Sequence, residues 1–515
     1  MTKTTFRTYA QDHGGRVLLL FLLFLLALYE LVNAGFSVFA VICMSPIVVF
    51  MFLGTFQYRM FTFWGLILVN FFVQWKNFPG IGLPTSLYNE MLEIVLLALT
   101  IIDVKDSHYE RSINVMFIAL VGWCGFCMLE MLNDTCGLGF DFAGWYTQAR
   151  LIGFSLMYVF LVFTLYINNP KVLVHYLFVW GLLSLFAVFW VWKQKNFGLT
   201  DAENSFLQGR GRSTHLLQGG TLIRYFSTYN DAANFGIGIA CTAVAFVIFG
   251  ITSRIKKYKF YFLLVGLACI WGMFPSGTRT AIACLMAGFV VYIFLSKSFK
   301  IAIPFTITFG VIFFILAFTD IGNGNQSIRR MRSAFDKNDA SANQRSINQE
   351  AMKKYMKEAP WGIGMNVGYQ NVPANNKYTF MATVPPDSEY VFIWIHTGII
   401  GITVFLTAMF AIFAGAVRIV MFRLRSPSLR GIGAGMCCAF VGIQLGGYGN
   451  QVLLGFPNGL IFYGGITIVY ILPFIEQEWI AHEDALFAKQ EERRRLKEEQ
   501  RKALRIKSII PSNWF

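Results

Sequence analysis

VLVHYLFVWGLLSLFAVFWVW, residues 172–192, carries no acidic or basic side chain apart from one histidine and is closed at its ends by Lys171 and Lys193. A run of about 20 apolar residues is what a helix needs to cross roughly 30 Å of hydrocarbon. Its apolar character is continuous rather than confined to one stripe, so water on one side does not suit it. Similar runs lie near 17–32, 35–54, 60–75, 87–102, 113–132 and 150–167 before it. Others lie near 233–252, 259–275, 279–296, 300–319, 390–417, 431–449 and 456–474 after it. Hydrophobic residues make up 56% of the 515 positions, charged ones 14%, and mean hydropathy is +0.54. One soluble core stops growing at roughly 250–300 residues and does not need so much apolar surface. The reading is an all-α, polytopic integral membrane protein with about 14 transmembrane helices, in a range of about 12 to 14. Residues 17–32, ending in Tyr29-Glu30, read as the first span, because no small-residue cleavage site follows them.

Basic residues in short connections set the orientation. With the N-terminus in the cytoplasm, Arg254 to Lys259, Lys297 to Lys300 and Arg418 to Arg430 all fall inside. The chain then divides into a cytoplasmic N-terminus (1–16), an N-terminal transmembrane bundle (17–192) and a first long outer loop (193–232). Further spans follow (233–319), then a larger outer loop (320–389), C-terminal spans (390–474) and a charged cytoplasmic tail (475–515). The tail pairs opposite charges at helical spacing, as in Glu491-Glu492-Arg493-Arg494-Arg495, and reads as a helix on or leaving the membrane surface. Nearly all remaining Lys and Arg lie in the two long outer loops, where the short-loop rule does not apply. An anionic partner on that side is expected.

The nine cysteines lie mostly within spans, Cys124 and Cys127 among them, and read as small hydrophobes at helix contacts. Neither an H-E-x-x-H pair nor a P-loop occurs, so neither a metal site nor a nucleotide site is expected, and no cofactor. Acidic residues are harder to place. Glu30, Glu90, Glu93, Glu130 and Asp134 fall near the outer ends of spans, where ionisable groups are costly and often functional. They either pair structurally with basic loops or shape a binding site.

The outer side also carries the motifs. Phe274-Pro275-Ser276-Gly277-Thr278-Arg279-Thr280-Ala281 makes a turn that ends with Arg279 at the start of a span. Arg279 there either snorkels to the headgroups or joins Ser276, Thr278 and a helix N-terminus in an anion site. The first loop holds Arg210, Arg212 and His215, then Arg224 to Asn234. The second holds Arg329, Arg332 and Arg345, then Pro360-Trp361-Gly362-Ile363-Gly364, and ends at Asp387-Ser388-Glu389-Tyr390.

The SGTRTA turn at 276–281, the Arg-and-Asn segment at 224–234, the stretch from Arg332 to Gly364 and the Gly398-Ile-Ile-Gly401 span start occur together, in order, over about 205–475. In these the chain resembles the O-antigen ligase and O-antigen polymerase superfamily. The resemblance implies an inverting, metal-independent glycosyltransferase in the bacterial inner membrane. It would take a glycan from undecaprenyl diphosphate on the periplasmic face. The acceptor would be lipid A-core for a ligase, another repeat unit for a polymerase, or protein for an oligosaccharyltransferase; membrane lipids surround it and no nucleic acid takes part. The family's proposed base is a His in a His-Asn pair, and counting back from Gly398 that position holds Asp387 here. Asp387 is therefore the leading candidate for base, with Glu389, His396 and His215 as alternatives. A helix cap at Asp387 and a buried contact at His396 are the competing structural roles. Fixed guanidinium groups suit the charge building on a leaving diphosphate, and Arg279, Arg210, Arg212 and Arg224 are the candidates. A lipid-linked-glycan transporter or flippase also fits many spans and basic loops, but the matching broken helices of two halves are not seen in the sequence.

Overall fold

The computed structural model describes residues 58–78, 85–102, 107–217, 222–296, 340–367, 372–383 and 387–509, with isolated positions between 15 and 54 and between 303 and 324. Residues 1–65 and 66–515 form two compact units, and every described helix after the first lies in the second. The described helices are α1 (Arg59–Phe72), α2 (Thr85–Ile102), α3 (Val115–Leu129), α4 (Phe142–Tyr166), α5 (Pro170–Phe197), α6 (Asp201–Gln208), α7 (Ala232–Thr252), α8 (Lys256–Gly272), α9 (Arg279–Leu295), α10 (Ala340–Met356), α11 (Glu389–Arg418), α12 (Pro427–Gly449) and α13 (Asn458–Ile509). Strand among the described residues is limited to a two-stranded antiparallel pair, β1 (Leu216–Leu217) and β2 (Leu222–Ile223).

Eight helices among the described residues are long and apolar enough to cross a membrane: α3, α4, α5, α7, α8, α11, α12 and α13. Two more expected spans appear as the shorter apolar helices α1 and α9, and the one expected at 87–102 is α2. Those expected at 17–32, 35–54 and 300–319 lie outside the described residues, isolated positions aside. α5 begins where the sequence signals it: Pro170 occupies the first turn and Asn169 Oδ1 accepts the Val172 N–H at 3.0 Å. It continues to Phe197, into the stretch expected as the first long outer loop.

α7 is the centre of the bundle and is buried along almost its whole length. It packs against α8, α9 and α12, while α12 also meets α11 and α13, α11 meets α3, and α4 lies between α2 and α13. Lipid tails are as apolar as leucine, so close backbone approach rather than hydrophobic burial drives such packing. α12 supplies that approach with Gly431, Gly433, Gly435, Gly442 and Gly446, all buried. α4 contains a π-turn at Arg150–Phe154, and the Ile152 carbonyl accepts the indole N–H of Trp123 at 2.7 Å.

α13 runs for 52 residues, about 78 Å at 1.5 Å per residue, and so outlasts any bilayer. Trp479 and Glu483 are still buried: Ser428 Oγ accepts the Trp479 indole N–H at 3.0 Å and donates to Glu483 Oε2 at 2.8 Å. Beyond Asp484 the helix is mostly exposed. The charged tail, expected as a helix on or leaving the membrane surface, is therefore one continuous helix with the last expected span.

Candidate functional site

The N-termini of α7 and α11, the C-terminus of α12 and the N-terminus of α13 gather at one end of the bundle. Between them lies a cavity of about 870 Å³. Its walls include Asn230, Asp231 and Asn234 on one side, Asp387 and Glu389 on another, and Asn450 and Gln451 on a third. Polar groups thus converge on a space large enough for sugar rings, which is how small-molecule sites are commonly built.

Each wall is fixed by local structure. Asp231 caps α7, accepting the N–H groups of Ala233 at 2.7 Å and Asn234 at 2.9 Å, and its other oxygen accepts Asn234 Nδ2 at 2.7 Å. Asn458, buried at the start of α13, donates to the Asn234 carbonyl at 3.1 Å. Asn234 Nδ2 also reaches the Gln451 carbonyl at 3.3 Å, which ties α7 to the α12–α13 connection. On the opposite wall Ser388, not Asp387, is the cap of α11, and its Oγ donates to the Gly447 carbonyl at 3.1 Å. Asp387 sits exposed at the cavity rim. Glu389 is buried at the cavity wall, and its Oε2 accepts the Leu453 N–H at 3.2 Å.

Below this wall, Arg224 grips the SGTRTA turn. Its guanidinium donates to the Ser276 carbonyl at 3.2 Å, the Thr214 carbonyl at 3.0 Å and Thr278 Oγ1 at 3.0 Å. Thr278 Oγ1 donates onward to the Ala232 carbonyl at 2.9 Å, and Ser276 Oγ donates to the Met273 carbonyl at 2.6 Å. The structure therefore brings Arg224, Ser276 and Thr278 together: the Thr278 hydroxyl holds the turn against α7, and the Ser276 hydroxyl closes the turn on itself. Arg279 is the first residue of α9, half-buried, and does not line the cavity. Arg210 and Arg212 are exposed and also lie off the cavity wall. Arg345 falls in α10, its side chain outside the described residues, as are Arg329 and Arg332 altogether.

The two histidines are placed differently from the carboxylates. His215 is buried, with Nε2 accepting the Ala232 N–H at 3.1 Å and Nδ1 facing the Gly211 carbonyl at 3.1 Å and Thr214 Oγ1 at 2.7 Å. An acceptor at Nε2 requires the proton on Nδ1, so this ring is a neutral tautomer. Burial takes its pKa down to about 4; Asp231 opposes the shift, and Arg224 and Lys76 add to it. His396 is buried within α11, its Nδ1 against the Phe392 carbonyl at 2.9 Å. Neither histidine lines the cavity.

His396 instead stands beside a break in α11. Gly398 has φ 66° and ψ −168°, and the Pro360–Gly364 segment lies along the break. The Ile363 N–H donates to the Ile395 carbonyl at 2.9 Å and the Gly364 N–H to the His396 carbonyl at 3.1 Å; the Ile400 N–H returns to the Pro360 carbonyl at 3.3 Å. The backbone groups freed by the break are thus satisfied within the protein, as membrane depth demands. A Cβ on Gly398 would lie 2.0 Å from the Pro360 carbonyl oxygen, and one on Gly362, which also has φ +79°, would lie 2.4 Å from the His396 carbonyl carbon. The two glycine motifs, far apart in sequence, are the two halves of one contact.

Sequence reasoning missed two contributors. Lys76 donates to the Asn230 carbonyl at 3.0 Å and lies 4.0 Å above the Phe206 ring. Burial lowers its pKa to about 8, with Asp231 opposing. The 450–456 connection was missed because it reads only as a short link between two spans. A cluster of Asn and Gln beside glycines was the signal available there.

Residues 264–406 match the family described as O-antigen ligase, a stretch that contains the SGTRTA turn, the Pro360–Gly364 segment and the break at Gly398. No curated protein matches the chain.

Proposed function

From a chain that carries an O-antigen ligase domain over residues 264–406, in support of the O-antigen ligase and polymerase superfamily, we propose the following activity. The protein moves a glycan from an undecaprenyl-diphosphate carrier to an acceptor on the outer face of the inner membrane, with inversion at the anomeric carbon. The observation that carries this reading is the cavity in which Glu389 and Asp387 face the Asp231–Asn234 start of α7, beside the Arg224-bound SGTRTA turn.

Inversion needs one group that takes a proton from the acceptor hydroxyl as it attacks, and another that stabilises charge on the departing diphosphate. Glu389 fits the first part best. One of its oxygens is held by the Leu453 amide and its carboxyl group borders the cavity, so it is oriented as well as present. Asp387, at the rim, is better placed to receive the acceptor. His215 and His396 have ring nitrogens committed to backbone groups. For the leaving group, Arg224, bound to the turn through the Ser276 carbonyl and Thr278 Oγ1, and Arg279, the first residue of α9, provide positive charge near the start of a helix. The prenyl chain would run down between the spans.

Profiling the surface glycans of a strain lacking this protein tests the reading and sorts the acceptors. Loss of polysaccharide from lipid A-core indicates a ligase, chains reduced to one repeat indicate a polymerase, and loss of glycoprotein signal indicates transfer to protein. An unchanged profile contradicts all three.

A further inference from the structure

A second, smaller cavity of about 50 Å³ lies between α1, α2, α4 and α13, and Ser86, Leu151, Leu454 and Phe456 line both it and the large one. Its walls mix apolar side chains such as Leu156 and Leu460 with a group of polar ones. Arg150, in the π-turn of α4, pairs with Glu90 Oε2 at 2.9 Å and donates to Ser86 Oγ at 3.0 Å; Tyr146 donates to Glu90 Oε1 at 3.0 Å. Asn89 Nδ2 donates to Glu93 Oε1 at 3.2 Å. Asn70 is 1% exposed, and neither atom of its amide has a protein partner; nor does Asn89 Oδ1 or the Arg150 Nε–H. A buried donor or acceptor without a partner is costly, so a site that keeps four of them together is unusual unless something binds there. π-Turns are themselves frequent at functional sites.

We propose that this cavity is a subsite for an uncharged hydrogen-bonding arm of a sugar, a hydroxyl or acetamido group, reaching in from the large cavity. The proposal rests on the glycan-transfer reading above. Arg150 is matched by Glu90, and the further carboxyl group of Glu93 is engaged by Asn89 Nδ2, so the site holds no spare positive charge for an anionic ligand. Asn70 offers a donor and an acceptor side by side, Asn89 an acceptor and Arg150 a donor, the complement of a group that both gives and takes hydrogen bonds. The volume holds a few water-sized groups and excludes a whole ring, which belongs in the large cavity.

Asn70→Leu keeps the volume and removes both hydrogen-bonding groups. In the full-length protein, KM for the lipid-linked donor and KM for the acceptor are measured separately, together with the thermal midpoint. A subsite for the donor raises the donor KM about tenfold, the equivalent of one or two lost hydrogen bonds, and leaves the acceptor KM alone; a subsite for the acceptor does the reverse. The midpoint stays equal or rises, since a buried unsatisfied amide is gone. Unchanged values of both KM overturn the subsite. If Asn70→Leu does not fold, Asn89→Leu, on the opposite wall, is read in the same way. If the wild-type protein shows no turnover, the transfer reading is what fails. Binding of an N-acetylated oligosaccharide to wild type and Asn70→Leu is then compared, and equal affinities overturn the subsite.

Discussion

Glu389 and Asp387 are two residues apart and both border the same cavity, yet their surroundings ask different things of them. Glu389 is buried and held through one oxygen by the Leu453 amide, whereas Asp387 is exposed. If Glu389 is the base, Glu389→Gln keeps the amide contact and removes the proton acceptor, lowering kcat about 100- to 10,000-fold with donor binding intact. Asp387→Asn lowers the rate by less than about tenfold on the same view, since a rim carboxylate contributes to binding rather than proton transfer. The reverse ranking moves the base to Asp387. His215 makes a separate prediction about pH. Its folded pKa of about 4 lies below the ordinary value near 6.5, so the unfolded chain binds the extra proton between them. Stability is therefore complete above about pH 6.5 and is lost as pH falls toward 4, by as much as about 3 kcal/mol for this one group. The thermal midpoint should fall from pH 7 to pH 5, and His215→Gln should flatten that fall. A slope identical in the two proteins assigns it elsewhere.

Helix elements explain which motifs the sequence could announce. The apolar runs were legible because a span must be apolar on every face, and α5 and α7 appear close to where the runs place them. The break in α11 was not legible. Gly398 lies inside the apolar run at 390–417, where His396 and Thr397 before it give no sign of a bend, and the docked Pro360–Gly364 segment shows that the helix changes direction there. The cap of α11 was misplaced by one residue for a similar reason: Asp387 and Ser388 are both good caps, and the choice between them is made by backbone geometry. The clasp itself can be tested. Gly362→Ala puts a methyl group 2.4 Å from the His396 carbonyl carbon and forces an alanine to φ +79°, so a loss of more than about 2 kcal/mol is expected, seen as reduced membrane yield and a lower thermal midpoint. Gly122→Ala in α3, where nothing lies within 4 Å of the new methyl, should be near neutral. Equal stability in the two variants means that the segment does not dock as described.

Across the whole molecule, the site is assembled from parts about 380 residues apart in the chain, from Gln74 to Phe456, and this long-range closure is what one sequence conceals. The basic loops pointed to an anionic partner, and the motif order pointed to a family. Neither could say that Arg224 holds the SGTRTA turn through Thr278 and the Ser276 carbonyl, or that Glu90, puzzling as an isolated acid, is paired with Arg150. On the proposed function this assembly breaks a glycosyl–diphosphate bond with inversion, as opposed to moving the lipid across a membrane. The most direct measurement incubates the purified full-length protein in detergent, without any ion gradient, with undecaprenyl-diphosphate-linked glycan and candidate acceptors, and reads released lipid diphosphate and the anomeric configuration of the product by NMR. Wild-type protein is expected to consume the donor and form a product of inverted configuration, while Glu389→Gln forms almost none. An intact donor with every acceptor, or a product of retained configuration, would contradict it.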